Sequence, residues 1–134
     1  MPSSTAAHLL KLSPAEFDKL LDDGSILHAW DLGTGAFKRA IRVLAVCVMA
    51  RQQGQPQPKL TGWELETAVY GGPRAHFETT ELASIWATTT KYFTQLIGRG
   101  QLPVIKDQHK GRGGSAHIAW DTAVRFLHER RVKA

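Results

Sequence analysis

The sequence predicts a mainly α protein, with an amino-terminal helical region and a carboxy-terminal helix, turn and helix that runs into a small β-hairpin and a last helix. Three observations predict this. Residues 13–22 and 79–97 each carry helix-start residues followed by apolar positions at helical spacing. Residues 107–115 are turn-rich and basic and separate two short strand-like runs, 102–106 and 116–120. A chain of 134 residues, 43% of them apolar, is the size of one domain or of two small subdomains, and no internal repeat stands out.

Residues 1–10 read as a frayed start. Ser13 then caps a helix that has Pro14 at its first position and Glu16 closing a capping box; Leu12 and Phe17 form a hydrophobic staple. This helix runs to about Asp22 and buries Phe17, Leu20 and Leu21, with Gly24 as its stop. Residues 26–32 read as a connector in which Trp30 plugs the core. Thr34 or Gly35 begins a longer helix reaching Gln52, with Phe37, Ile41, Leu44, Ala45, Val48 and Met49 at helical spacing. Val43, Val46 and Cys47 make its middle apolar nearly all round, so it is covered either by both neighbouring regions or by a second subunit. Lys38, Arg39 and Arg42 on its first turns read as a solvated edge.

Residues 52–59, Gln-Gln-Gly-Gln-Pro-Gln-Pro-Lys, are a boundary, because glycine and two prolines exclude regular structure. The predicted organisation is 1–53 for helical packing or oligomerisation, 54–76 for a linker with a short element, and 77–134 for the carboxy-terminal domain. Residues 60–70 read two ways: Thr61 with Glu64 makes a capping box for a helix, while Trp63, Leu65, Thr67 and Val69 alternate as in a strand. The helix is preferred.

In the last domain Thr79 caps a short helix with Leu82, Ala83, Ile85 and Trp86 inward. After Ala87 and Thr88, Thr89 caps a second helix with Phe93, Leu96 and Ile97 inward. Gly98 and Gly100 stop it and Pro103 cannot extend it. Asp121 caps the final helix, which buries Ala123, Val124, Phe126 and Leu127.

The formal charge is +5 with 17 Lys and Arg against 12 Asp and Glu, which favours a polyanionic partner. Between residues 91 and 112 five cations, Lys91, Arg99, Lys106, Lys110 and Arg112, face one acid, Asp107. The single cysteine, Cys47, lies in an apolar run and forms no intrachain disulfide, which fits a reducing cytoplasm. No secretory signal is visible, and the longest apolar run, 43–50, is far shorter than the roughly 20 residues a membrane span needs. Six histidines are scattered without metal-ligand spacing, and no phosphate-cradling glycine motif precedes a helix. No cofactor, metal or catalytic constellation is expected.

Thr79-Thr80-Glu81-Leu82-Ala83, Leu96-Ile97, Gly100-Gln101-Leu102-Pro103 and Trp120-Asp121-Thr122-Ala123-Val124 follow a spacing that resembles the winged helix-turn-helix of the excisionase and MerR-like DNA-binding family, over roughly the last 55 residues. The family usually has a small apolar residue where this chain has Thr88. Lys110-Gly111-Arg112-Gly113-Gly114 and Ala123-Val124-Arg125-Phe126-Leu127 also resemble the small terminase subunits of tailed phages, in which the DNA-binding domain comes first rather than last. The resemblance implies a duplex-DNA-binding regulator or architectural factor of a mobile element or phage, acting as a dimer or higher homo-oligomer. It implies that the second helix enters the major groove and offers Thr90, Lys91, Tyr92, Thr94 and Gln95. Lys91 then meets guanine acceptors, Gln95 pairs with adenine, and Thr90 or the Tyr92 hydroxyl binds phosphate. The amides at Thr89 and Thr90 add a helix-terminus phosphate site, and Arg99 adds charge. Lys106, His109, Lys110 and Arg112 lie in the implied wing, along the backbone or in the minor groove. The alternative class is a protein-interaction module of the same shape.

Overall fold

The computed structural model describes residues 1–33, 40–105 and 116–132. Over them the chain is mostly helical, with seven helices and two small antiparallel two-stranded sheets. It divides into two units: Met1–Thr61 together with Arg130–Ala134, and Gly62–Glu129. Among the described residues no helix is long and apolar enough to cross a membrane.

The first unit contains α1 (Ser3–Leu9), α2 (Pro14–Asp22), β1 (Ala29–Asp31), β2 (Ile41–Val43) and α3 (Ala45–Gln52). The start of α2 is as the sequence predicts. Ser13 Oγ accepts from the Glu16 amide at 3.1 Å, the Glu16 carboxylate accepts from the Ser13 amide at 2.9 Å, and Pro14 occupies the first turn. Phe17 and Leu21 are buried, with Leu12 and Leu20 packed against the core they belong to.

Three expectations for this unit are corrected. Residues 1–10 are not frayed, because Ala6 and Ala7 are buried and hold α1 in the core. Residues 26–32 are more than a connector: Trp30 is buried as expected, but it sits on β1. The long helix through residue 52 does not exist as such. Ile41 and Val43 are buried on either side of half-buried Arg42, a period of two, and pair with β1 in the register Ala29↔Val43 and Asp31↔Ile41. Only from Ala45 does the chain turn helical, and there Cys47 and Val48 face inward while Val46 and Met49 are exposed. The expected start of that helix at Thr34 or Gly35, together with Phe37, Lys38 and Arg39, lies outside the described residues.

Both ends of the chain join this unit's hairpin. The Met1 ammonium donates to the Val43 carbonyl at 2.7 Å, and Val43 N–H donates to Met1 O at 2.8 Å. On the other edge Asp31 N–H donates to Arg130 O at 2.9 Å and Val132 N–H to Ala29 O at 2.8 Å. Residues 1–2, β2, β1 and residues 130–132 thus lie side by side.

The second unit contains α4 (Trp63–Tyr70), β3 (His76–Glu78), α5 (Thr79–Ile85), α6 (Thr90–Gly98), β4 (His117–Ala119) and α7 (Trp120–Glu129). Residues 63–70 are helical, but the Thr61–Glu64 box is absent: Gly62 occupies the cap position at φ 51° with no side-chain bond. The cap of α5 is Glu78 rather than Thr79, which is the first helical residue and is buried. Gly98 stays inside α6, and the reversal falls at Gly100, φ 73°. α7 begins at Trp120, one residue before the expected cap Asp121. The predicted hairpin is also rearranged. β4 pairs with β3, in the register Phe77↔Ile118, while residues 102–105 form no strand and contribute one bond, Ile105 N–H to His117 O at 2.9 Å. The basic loop 107–115 lies outside the described residues.

The expected absence of a repeat is corrected too: one succession of elements occurs twice, displaced by 76 positions. α1 and α5 start at Ser3 and Thr79, α2 and α6 at Pro14 and Thr90, and β2 and β4 at Ile41 and His117. Between each helix pair stands a non-glycine residue of positive φ, Lys11 at 57° and Ala87 at 52°. In each unit the turn is closed by the same long bond, Leu12 N–H to Ala7 O and Thr88 N–H to Ala83 O, both 2.9 Å. Ser13 and Thr89 cap the second helices, and Gly24 and Gly100 terminate them. In each unit the residue just before the first helix pairs with the later strand, Pro2↔Arg42 and Glu78↔His117.

Candidate nucleic-acid interface

The α5–α6 pair is held from beneath by aromatic rings. Trp86 packs edge-on against Phe126 with centroids 5.5 Å apart, Phe93 lies 5.4 Å from Phe126, and Tyr70 touches Phe77, Trp86 and Trp120. The Tyr70 hydroxyl donates to Ala123 O at 2.6 Å and accepts from Trp86 Nε1 at 3.3 Å. Burial pushes the Tyr70 phenol well above its ordinary range, so it remains a donor at any physiological pH.

The entry to α5 is fixed by Arg74 and Glu81. Arg74 Nη2 donates to the Glu81 carboxylate at 2.7 Å, its Nε donates to His76 O at 2.9 Å, and its guanidinium lies 4.5 Å over the Phe77 ring. The Glu81 carboxyl is held below its usual range, first by the Glu78 amide and then by Arg74. No local pattern around Arg74 signals this engagement, which depends on the fold bringing Glu81 and Phe77 to it. On the same short sheet His76 and His117 stack at 4.2 Å, with His117 Nε2 3.9 Å from Glu78 Oε1. Among the described residues no group of three or more His, Cys, Asp or Glu is placed to hold a metal.

With Phe93 and Leu96 buried and Tyr92 and Ile97 half-buried, the opposite side of α6 faces outward. Thr89 Oγ1 accepts from Tyr92 N–H at 3.2 Å, so Thr89 is the cap the sequence predicts. Thr90, Lys91, Thr94, Gln95 and Arg99 are exposed. Lys91, Gln95 and Arg99 recur every fourth residue, which puts them in one stripe. Two candidates are placed differently from the expectation. The Tyr92 hydroxyl is buried and its ring lies edge-on to Phe93 at 5.1 Å, so it does not face a ligand on that stripe. The Thr94 hydroxyl donates to Thr90 O at 3.0 Å, leaving it as an acceptor. Lys106, His109, Lys110 and Arg112 lie outside the described residues.

The repeat supplies an internal control. At the α6 positions Lys91, Thr94, Gln95, Gly98 and Arg99, the first unit has Ala15, Asp18, Lys19, Asp22 and Asp23. The outward side of α2 is therefore acidic, while that of α6 carries no carboxylate. Whole-unit charge would mislead here: of the 17 Lys and Arg and 12 Asp and Glu, ten and five fall in the first unit and seven and seven in the second. The cations of the second unit matter by their concentration between residues 91 and 112. No family model, no curated protein and no solved structure matches this chain.

Proposed function

We propose that Gly62–Glu129 is a winged helix-turn-helix that binds duplex DNA through α6, and that the protein is a regulator or architectural factor of a mobile element or phage. The carrying observation is the outward stripe Lys91, Gln95 and Arg99 on a Thr89-capped helix without a single acid, beside a structural repeat whose equivalent helix is acidic. A helix with carboxylates on its outer side meets phosphate repulsion. One with Lys, Gln and Arg there offers the donors that guanine and adenine edges accept in the major groove. Thr89, Thr90 and the first-turn amides serve a phosphate at the helix start, as expected of such termini. The same reading assigns Lys106, His109, Lys110 and Arg112 to the duplex backbone, from charge and place in the sequence. One such module reads few base pairs, so the protein acts on paired half-sites as a dimer.

Fluorescence anisotropy with random duplex DNA at two salt concentrations tests this. Affinity falls steeply with salt, and Lys91→Ala and Arg99→Ala each lower the slope by about one. Gln95→Ala relaxes preference at one base position, by roughly 1–3 kcal/mol. Binding that ignores salt, or that survives both cation substitutions unchanged, defeats the reading and favours a protein-docking role.

A further inference from the structure

We propose that the first unit holds a binding site for a small aromatic anion, in the groove bounded by the ends of α1 and α3 and one side of α2. The groove has a volume of about 730 Å³, within the roughly 300–1,000 Å³ typical of small-molecule sites. Leu9, Leu10, Leu12 and Leu20 line it, and the Gln52 amide closes one end by donating to Leu9 O at 3.4 Å.

The repeat explains why this space is open. In the second unit the positions of Leu10, Glu16 and Ala50 are taken by Trp86, Tyr92 and Phe126, 76 residues on. There Trp86 and Phe126 pack against each other and Tyr92 packs on Phe93. The first unit keeps the same backbone succession and the shared Phe17/Phe93 anchor, and of the three positions that lack a ring Leu10 and Glu16 line the groove. Its helices thus frame a volume that aromatic side chains fill in the other copy. An aromatic ligand restores that packing.

The charge at the mouth sets the second half of the ligand. Lys11, Lys19 and Arg51 line the groove with Glu16 and Asp23. Both carboxylates are already engaged: Glu16 accepts from the Ser13 amide and Asp23 from the Ser25 amide, each at 2.9 Å. Each also faces a cation of its own, Glu16 with Lys19 and Asp23 with Arg51, so Lys11 is the cation left in excess to receive an anion. Lys11 stands at φ 57° in the turn that the second unit makes at Ala87, and from that turn it lines the rim. A carboxylate or sulfonate on an aromatic ring satisfies both halves of the site.

Titration calorimetry of the full chain with 1-naphthoate tests the proposal, with the uncharged 1-naphthalenemethanol as control. Expected is one naphthoate per chain, and weaker binding of the alcohol by about tenfold. Leu10→Trp, which puts a missing ring back into the lining, abolishes binding while circular dichroism stays helical. Lys11→Gly raises the melting temperature and weakens naphthoate binding severalfold; because it relieves strain, it answers the question even if a filling variant fails to fold. Equal affinity for the alcohol, undiminished binding in Lys11→Gly, or no saturable binding up to about 1 mM overturns the proposal. So does a dimer in sedimentation that Leu10→Trp dissociates, since the groove would then be covered by a second copy. None of these outcomes depends on DNA binding.

Discussion

Tyr70 and Ala87 show how much of the second unit rests on single residues. The Tyr70 hydroxyl is sandwiched between Ala123 O and Trp86 Nε1, so Tyr70→Phe removes two buried hydrogen bonds while keeping the ring. The expected loss is about 1–3 kcal/mol in urea unfolding followed by tryptophan fluorescence; a loss near zero would mean that water replaces the hydroxyl. Ala87 acts in the opposite sense. It occupies the left-handed position between α5 and α6 at φ 52°, where the long Thr88–Ala83 bond demands that conformation. A Cβ there is strained, and Ala87→Gly is expected to stabilise by about 1 kcal/mol in the same measurement, less whatever the more flexible glycine gives back to the unfolded chain. Thr88, the residue that departs from the family resemblance, is half-buried and contributes its amide to the turn, a role any residue but proline can fill.

At the scale of elements, what was legible in the sequence was what depends on neighbours in the chain. Ser13, Pro14 and Glu16 announce α2, and Thr89 announces α6, because a cap is a bond across three residues. The inward stripes of α5 and α6 were legible for the same reason. α1 was not, since Ser3–Leu9 has no side-chain cap and is held by the burial of Ala6 and Ala7 against distant residues. Of the strands only β4, within the run 116–120, was legible as one. β1, β2, β3 and β4 are three residues each, too short for an alternation to show, and each is defined by its partner. Ile41 and Val43 fit a helical stripe as well as a strand until β1 is placed beside them. β4 was paired with residues 102–106 on the ground of nearness in sequence, whereas its partner β3 lies some forty residues back. The repeat was hidden by the substitutions that make the two copies differ in use. Ala7/Ala83, Phe17/Phe93, Leu20/Leu96 and Gly24/Gly100 are retained, but the outward residues of α2 and α6 have opposite charge and the groove residues have different size.

At the scale of the whole chain, the first unit is closed by residues from its far end. His28 is buried, with Nδ1 2.6 Å from Arg131 Nη2 and Nε2 3.1 Å from both Pro58 O and the Leu60 amide nitrogen; the guanidinium can only donate, so Nδ1 is the acceptor and the proton of the neutral ring sits on Nε2. Burial, and then the Arg131 guanidinium, push the His28 pKa below its ordinary 6.5. A second proton would turn the Nδ1 acceptor into a donor facing a cation. The neutral ring is thus the folded form, and the unfolded chain takes up a proton first as pH falls. The stability that depends on this contact is fully present above 6.5 and declines as pH drops from 6.5 toward the lowered folded value, after which it changes no further. The Asp31 amide, which donates to Arg130 O, reports the opening of this unit by hydrogen exchange. Its protection factor, corrected for intrinsic exchange, should fall over that window in the native protein and stay level in His28→Gln, whose amide cannot titrate. Protection that is flat in the native protein, or that falls equally in the variant, would assign the acid sensitivity to some other group and leave the Arg131 contact without a role in closing the chain.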